Sequence, residues 1–159
     1  MIIKRHPISS SSNEKITDIV SWEPRYATGI LPIDKQHKEL VDLTNKLFHA
    51  CLSKKKDVDA VYNEALHKLV EYVRFHFSDE EKILQSIGFP EYPEHKKEHE
   101  TLIKEILASA KNYNAGGKFV PNQCVRTLKD WIFGHIAVTD KVYSVYVKGQ
   151  RKKGLLIDL

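Results

Sequence analysis

A chain of 159 residues, 42% apolar and 29% charged, is long enough for one domain with a buried core. Its net charge of +4 is modest, and the basic excess gathers in the tail at Lys148, Arg151, Lys152 and Lys153, which argues against a nucleic-acid reader with its concentrated basic face. No run is apolar enough for a signal peptide or a membrane span, and Cys51 and Cys124 form no CxxC pair but read as small buried residues of a reducing compartment, so a cytoplasmic protein is expected. Residues 1–20, with Ser9-Ser10-Ser11-Ser12-Asn13, read as a flexible arm, residues 21–150 as the folded domain, and 151–159 as a basic tail. Trp22 to Ile33 carries Pro24, Gly29 and Pro32 and is expected to be irregular, with Trp22, Tyr26, Ile30 and Ile33 lying against the core.

Four helical patterns follow. The first runs from about Asp34, an N-cap candidate after Pro32, to Cys51, with Leu40, Val41, Leu47, Phe48 and Cys51 on its apolar face. The second runs from about Asp57 to Ile87, with Leu66, Leu69, Val73, Phe77 and Leu84 at helical spacing, and Gly88, Pro90 and Pro93 break it. The third runs from about Glu94 to Asn114, with Leu102, Ile103, Ile106 and Ala110 on one side, and stops at Gly116-Gly117. Pro121 opens the fourth, which carries Val125, Leu128, Trp131, Ile132, Val138, Val142 and Tyr146. No strand pattern competes. Short connections between successive helices predict an all-α, antiparallel up-down-up-down four-helix bundle with the N-terminal arm packed on it.

Polar donors interrupt these apolar faces at particular places. Residues four apart on an α-helix lie about 40° apart around the axis and share a face. His76 and Glu80 are so spaced, as are His95 and His99. His37 shares the face of Leu40, Val41 and Phe48, and His135 follows Trp131 by four and Ile132 by three. Each helix therefore aims at least one imidazole at the bundle axis. Asp140 fits only on a condition, because a five-residue step turns about 140°. It meets His135 where the helix is locally unwound or the side chains reach, which Gly134, Val138 and Thr139 permit. His67, His49 and His6 fall elsewhere and read as structural or exposed.

A lone histidine on an apolar face is usually a satisfied core residue. Five spread over four helices are not: neutral imidazoles would need partners that a hydrocarbon core does not offer, and charged ones would repel. Metal ions resolve the conflict. Imidazole and carboxylate donors without thiolate suit iron, and also zinc, manganese or cobalt. Seven donors exceed one tetrahedral site and suit two ions sharing bridging carboxylates.

The stretches Trp22 to Gly29 (WEPRYATG), Ile33 to Leu40 (IDKQHKEL), His76 to Glu81 (HFSDEE), Gly88 to His99 (GFPEYPEHKKEH) and Trp131 to Asp140 (WIFGHIAVTD) resemble the hemerythrin family, specifically bacterial single-domain hemerythrins. The resemblance spans about residues 21–147, and the order and spacing of all seven donors match. Ile83-Leu84 stands where members often carry methionine. The resemblance implies a non-haem di-iron centre with an oxo or hydroxo bridge: one iron held by His95, His99 and His135, the other by His37 and His76, with Glu80 and Asp140 bridging. It implies the five-residue step to Asp140 as well. The implied activity is reversible binding of dioxygen at the iron with the open position, in a pocket lined by Leu40, Phe77, Trp131, Ile132 and Ile136. Oxygen transport, storage and sensing share such a site, and the arm or the tail offers a surface for a protein partner.

The same residues admit rival readings. His95-Lys96-Lys97-Glu98-His99 matches the inverted zinc-protease motif, with Glu98 as general base, but leaves His37, His76 and His135 unexplained. Glu64-Ala65-Leu66-His67 is a lone Glu-x-x-His where a ferritin-like oxidase needs two. An enzyme using the same di-iron site, as a peroxidase, a nitric oxide reductase or in iron-sulfur cluster repair, is the main alternative.

Overall fold

A computed structural model describes residues 17–52, 58–116 and 120–155. Among them are five α-helices and no strand: α1 (Leu31–Leu52), α2 (Val58–Ser86), α3 (Tyr92–Asn114), α4 (Val120–Trp131) and α5 (Asp140–Lys152). A π-helical segment, Ile132–Thr139, joins α4 to α5 without leaving helical backbone, so the three pieces form one fourth rod. α1 packs on α2, α2 on α3, α3 on α4 and α4 back on α1, which closes a four-helix bundle. None of the helices is long and apolar enough to cross a membrane.

Helix ends refine the sequence expectations. α1 begins three residues before Asp34, so that residue is not an N-cap. Its carboxylate instead accepts from Thr28 N (2.5 Å), Thr28 Oγ1 (2.8 Å) and Gly29 N (3.1 Å), closing the turn that precedes the helix. Pro32 is then tolerated because first-turn amides have no intrahelical acceptor. Pro93 sits in the first turn of α3 for the same reason, so α3 starts at Tyr92. α2 ends in a Schellman turn: Gly88 takes φ +62°, and Phe89 N donates to Leu84 O at 2.9 Å.

The stretch from Trp22 to Ile33 contains a short 3-10 turn, Pro24–Tyr26, and buries Tyr26, Ile30 and Ile33. Residues 17–20, read as the end of the arm, are fastened to α1. Asn45 Oδ1 accepts from Ile19 N and Val20 N, each at 3.1 Å, and Asn45 Nδ2 donates to Val20 O at 2.8 Å. From the other side, α5 clamps residues 27–29: Lys141 donates to Ala27 O, Ser144 to Thr28 O and Arg151 to Gly29 O. Residues 1–16 of the arm and 156–159 of the tail lie outside the described residues.

The apolar core comes in two clusters. One gathers Leu40, Phe77, Leu102, Leu128, Ile132 and Ile136 among others; the second holds Ile30, Ile33, Leu84, Phe89, Tyr143 and Val147. On α1, His37 falls between Ile33 and Leu40; on α2, Glu80 falls between Phe77 and Leu84. His135 and Asp140 span the same interval on the fourth rod. The polar side chains therefore form a layer between two apolar ones.

Candidate metal centre

His37, His76, Glu80, His95, His99, His135 and Asp140 all converge in this layer, and none is more than 3% exposed. Ligand atoms of Glu80, His95, His99 and His135 lie within 4.8 Å of one another, as do those of His37, His76 and Glu80. Glu80 belongs to both groups. Its Oε2 is 3.1 Å from His99 Nε2, 3.3 Å from His95 Nε2 and 3.9 Å from His76 Nε2. Asp140 spans the halves in another way, with Oδ2 at 3.3 Å from His37 Nε2 and Oδ1 at 3.1 Å from His135 Nε2. Of the histidines read as structural or exposed, His67 is exposed beside Glu71 and His49 pairs with Asp18 at 2.6 Å, both outside the layer, while His6 lies outside the described residues.

Asp140 reaches the layer because of the π-helical segment. Its N–H donates to the His135 carbonyl, five residues back, so the widened turn brings a five-residue step onto one face. The local unwinding that the spacing demanded takes this form. Gly134 sits in the segment with nothing within 4 Å of where a Cβ would be.

Outward hydrogen bonds fix how the rings are protonated. His135 Nδ1 meets Glu98 Oε2 at 2.7 Å, and His99 Nδ1 meets Glu81 Oε1 at 3.2 Å. Carboxylates only accept, so both rings donate from Nδ1. His76 Nδ1 lies 2.9 Å from Gln36 Oε1, whose amide nitrogen donates to Asp79 Oδ2 at 3.0 Å. That orients the Gln36 amide and makes His76 a donor from Nδ1 too. Three Nε2 atoms are thus turned inward as lone pairs when the rings are neutral.

These inward atoms lack partners of the ordinary kind. His99 Nε2 and His135 Nε2 stand 3.0 Å apart, a contact that needs a proton or another electrophile between them. His37 Nε2, His76 Nε2 and both oxygens of Asp140 are buried without a hydrogen bond. Unsatisfied buried polar atoms are costly, and here they are the atoms a metal takes. The donor set fits a cation, and imidazole–carboxylate pairs behind metal-binding histidines are the usual second layer.

Without metal, the charges settle unevenly. Burial pushes the His76 imidazole down to about 3. Burial works against His135 too, but Asp140, Glu98 and Glu80 outweigh it and raise that ring to about 10. Glu80 is held well below its ordinary range despite burial, by the His95, His99 and His76 imidazoles gathered against it. The Tyr143 hydroxyl donates to Glu80 Oε1 at 2.5 Å. Phe77 stacks on His99 at 3.6 Å between ring centroids, and Trp131 stacks on His135 at 5.0 Å.

The model of the hemerythrin HHE cation binding domain matches residues 28–146. The chain belongs to the hemerythrin family. Among its relatives, the bacteriohemerythrin of Stenotrophomonas maltophilia is 29% identical over 130 residues, 82% of each chain. That of Pseudomonas aeruginosa is 33% identical over 122 residues, 77% of each. A crystal structure of wild-type hemerythrin superposes with a TM-score of 0.72 at 29% identity, covering 80% of this chain and 96% of that one. As a hemerythrin domain, the bundle carries a histidine–carboxylate cluster suited to a non-haem iron centre.

Sequence reasoning missed Gln36, Glu81 and Tyr143 and gave Glu98 another role. Glu98 faces the outer nitrogen of His135, which gives the protease reading no support. A faint signal existed for Gln36 and Glu98, each adjacent in sequence to a donor histidine.

Proposed function

We propose that the site holds two iron ions and binds dioxygen reversibly. His95, His99 and His135 would hold one ion, His37 and His76 the other, and Glu80 and Asp140 would bridge them. Two such ions supply, when bound, the electrons and the open coordination position that dioxygen needs. The single observation that carries this reading is Asp140, buried, with one oxygen toward His37 and the other toward His135 and no hydrogen bond to either. A carboxylate so placed spans two cations. Three imidazoles against two leaves the second half short of a ligand, which supports ligand binding there.

The protein's own part is exclusion and orientation. Leu40, Phe77, Ile132 and Ile136 are buried in one apolar cluster, with Trp131 packed against it, and keep bulk water from the layer. Gln36, Glu81 and Glu98 hold three rings with their lone pairs inward. A bound dioxygen meets few proton donors in such a lining, which favours release over turnover. Membership in a family with bacteriohemerythrins agrees with this reading.

The test is metal analysis, anaerobic reduction and exposure to air. Two irons per chain and a visible absorption band that appears with oxygen and vanishes on its removal are expected. Irreversible bleaching, or catalytic destruction of hydrogen peroxide or nitric oxide, would move the assignment to an enzyme. His76→Ala should abolish the oxygen-dependent band.

A further inference from the structure

The outer nitrogens of the imidazoles are not backed alike. His135 Nδ1 donates to Glu98, a full carboxylate at 2.7 Å. His99 Nδ1 donates to Glu81, but the other oxygen of Glu81 pairs with Lys96 Nζ at 3.3 Å, which offsets its charge. In the other half, His76 Nδ1 donates to the neutral amide of Gln36, and His37 has only the Tyr26 backbone behind it, with no carboxylate on Nδ1. Of His135, His99, His76 and His37, only His135 thus leans directly on a carboxylate for which no lysine or arginine partner is seen among the described residues.

We propose that Glu98 is a positioning residue that, acting through His135, makes the His95/His99/His135 half take up metal before the His37/His76 half. This rests on the two-ion reading above. A carboxylate behind Nδ1 holds the proton on that nitrogen, keeps Nε2 free and makes it a stronger donor to a cation. The hydrogen bond is charge-assisted and short. Glu98 is 51% exposed, so water screens part of its charge, but at 2.7 Å the remaining charge still acts directly on the Nδ1 proton. The amide of Gln36 relays some polarisation from Asp79, but places no charge against its ring.

Three imidazoles against two would order the halves by ligand number alone. Glu98→Gln separates the causes, because it keeps the acceptor oxygen and the three rings and removes only the charge. The metal-free full chain, labelled with 15N at histidine, is titrated with zinc and followed through its imidazole resonances. The first equivalent should shift Nε2 of His95, His99 and His135 while His37 and His76 stay unchanged. In Glu98→Gln the first affinity should fall about tenfold, with the second changed by less than about twofold. Glu81→Gln, already offset by Lys96, should lose less than Glu98→Gln. Far-UV circular dichroism establishes that each variant keeps its helices.

A first equivalent shared between halves, an unchanged first affinity in Glu98→Gln, or a larger loss at Glu81 would each overturn the proposal. Zinc does no oxygen chemistry, so the order of filling is read apart from dioxygen binding. A chain that fills in this order but shows no oxygen-dependent band keeps the proposal and loses the oxygen reading. Binding that stops at one zinc per chain overturns the two-ion site and this proposal together.

Discussion

The amide of Asp140 donates to the carbonyl of His135, and the side chains of the same two residues meet at 3.1 Å. Backbone and side chain are thus tied across one widened turn. The extra residue in that turn lets the fourth rod offer both an imidazole and a carboxylate to the same layer.

Asp140→Asn tests the tie. The amide keeps the volume but gives up the charge and one acceptor. On the proposed two-ion reading, iron content is expected to fall from two per chain toward one, and iron that stays at two would remove the proposed bridging role.

The metal-free protein should be most stable near neutrality. His76 is held down at about 3, chiefly by burial, while an unfolded chain takes up that proton at about 6.5. Stability from this group is therefore lost as pH falls from 6.5 toward 3. Glu80 adds to the acid loss, since its folded carboxyl lies below its ordinary value. His135, raised to about 10, acts in the opposite sense: its contribution is complete below the unfolded value and vanishes as pH rises through the folded one. Urea midpoints across pH should pass through a maximum, and metal loading should flatten the alkaline arm by replacing the proton on Nε2. Midpoints still climbing at alkaline pH without metal would contradict this.

Tyr143→Phe removes the hydroxyl that Glu80 Oε1 accepts from, and leaves a buried carboxylate oxygen short of a donor. A loss of about 1.5–3 kcal/mol is expected, the range for hydrogen bonds to charged groups. Unfolding of the metal-free protein in urea measures it directly, and an unchanged midpoint would show that the bond contributes nothing.

Asn45→Ala should cost about 1–3 kcal/mol, because the Ile19 and Val20 amides and the Val20 carbonyl lose their partners together. Hydrogen exchange at those two amides should accelerate more than elsewhere. Protection retained there would mean that packing alone holds the segment.

Much of this layout was legible in the sequence. The apolar spacing on each rod is continuous, so helix faces follow from it, and a histidine on such a face stands out because nothing nearby is polar. What escaped depends on contacts between rods. Gln36, Glu81 and Glu98 look like any surface amide or carboxylate until a neighbouring helix brings His76, His99 or His135 against them. Asp34 follows the pattern of an N-cap, yet three donors from Thr28 and Gly29 claim its carboxylate for the preceding turn. The π-helical turn has no composition of its own. The need for two donors five apart on one face reveals the unwinding, and the hydrogen-bond pattern reveals its form.

Trp131 lies against the ring of His135 at 15° between planes, and the chain has only one other tryptophan, Trp22. With Trp22 replaced by Phe, the remaining indole becomes an intrinsic fluorophore in contact with a candidate ligand ring. Its emission should dim as iron enters and recover on chelation, giving an optical gauge of occupancy without any added dye.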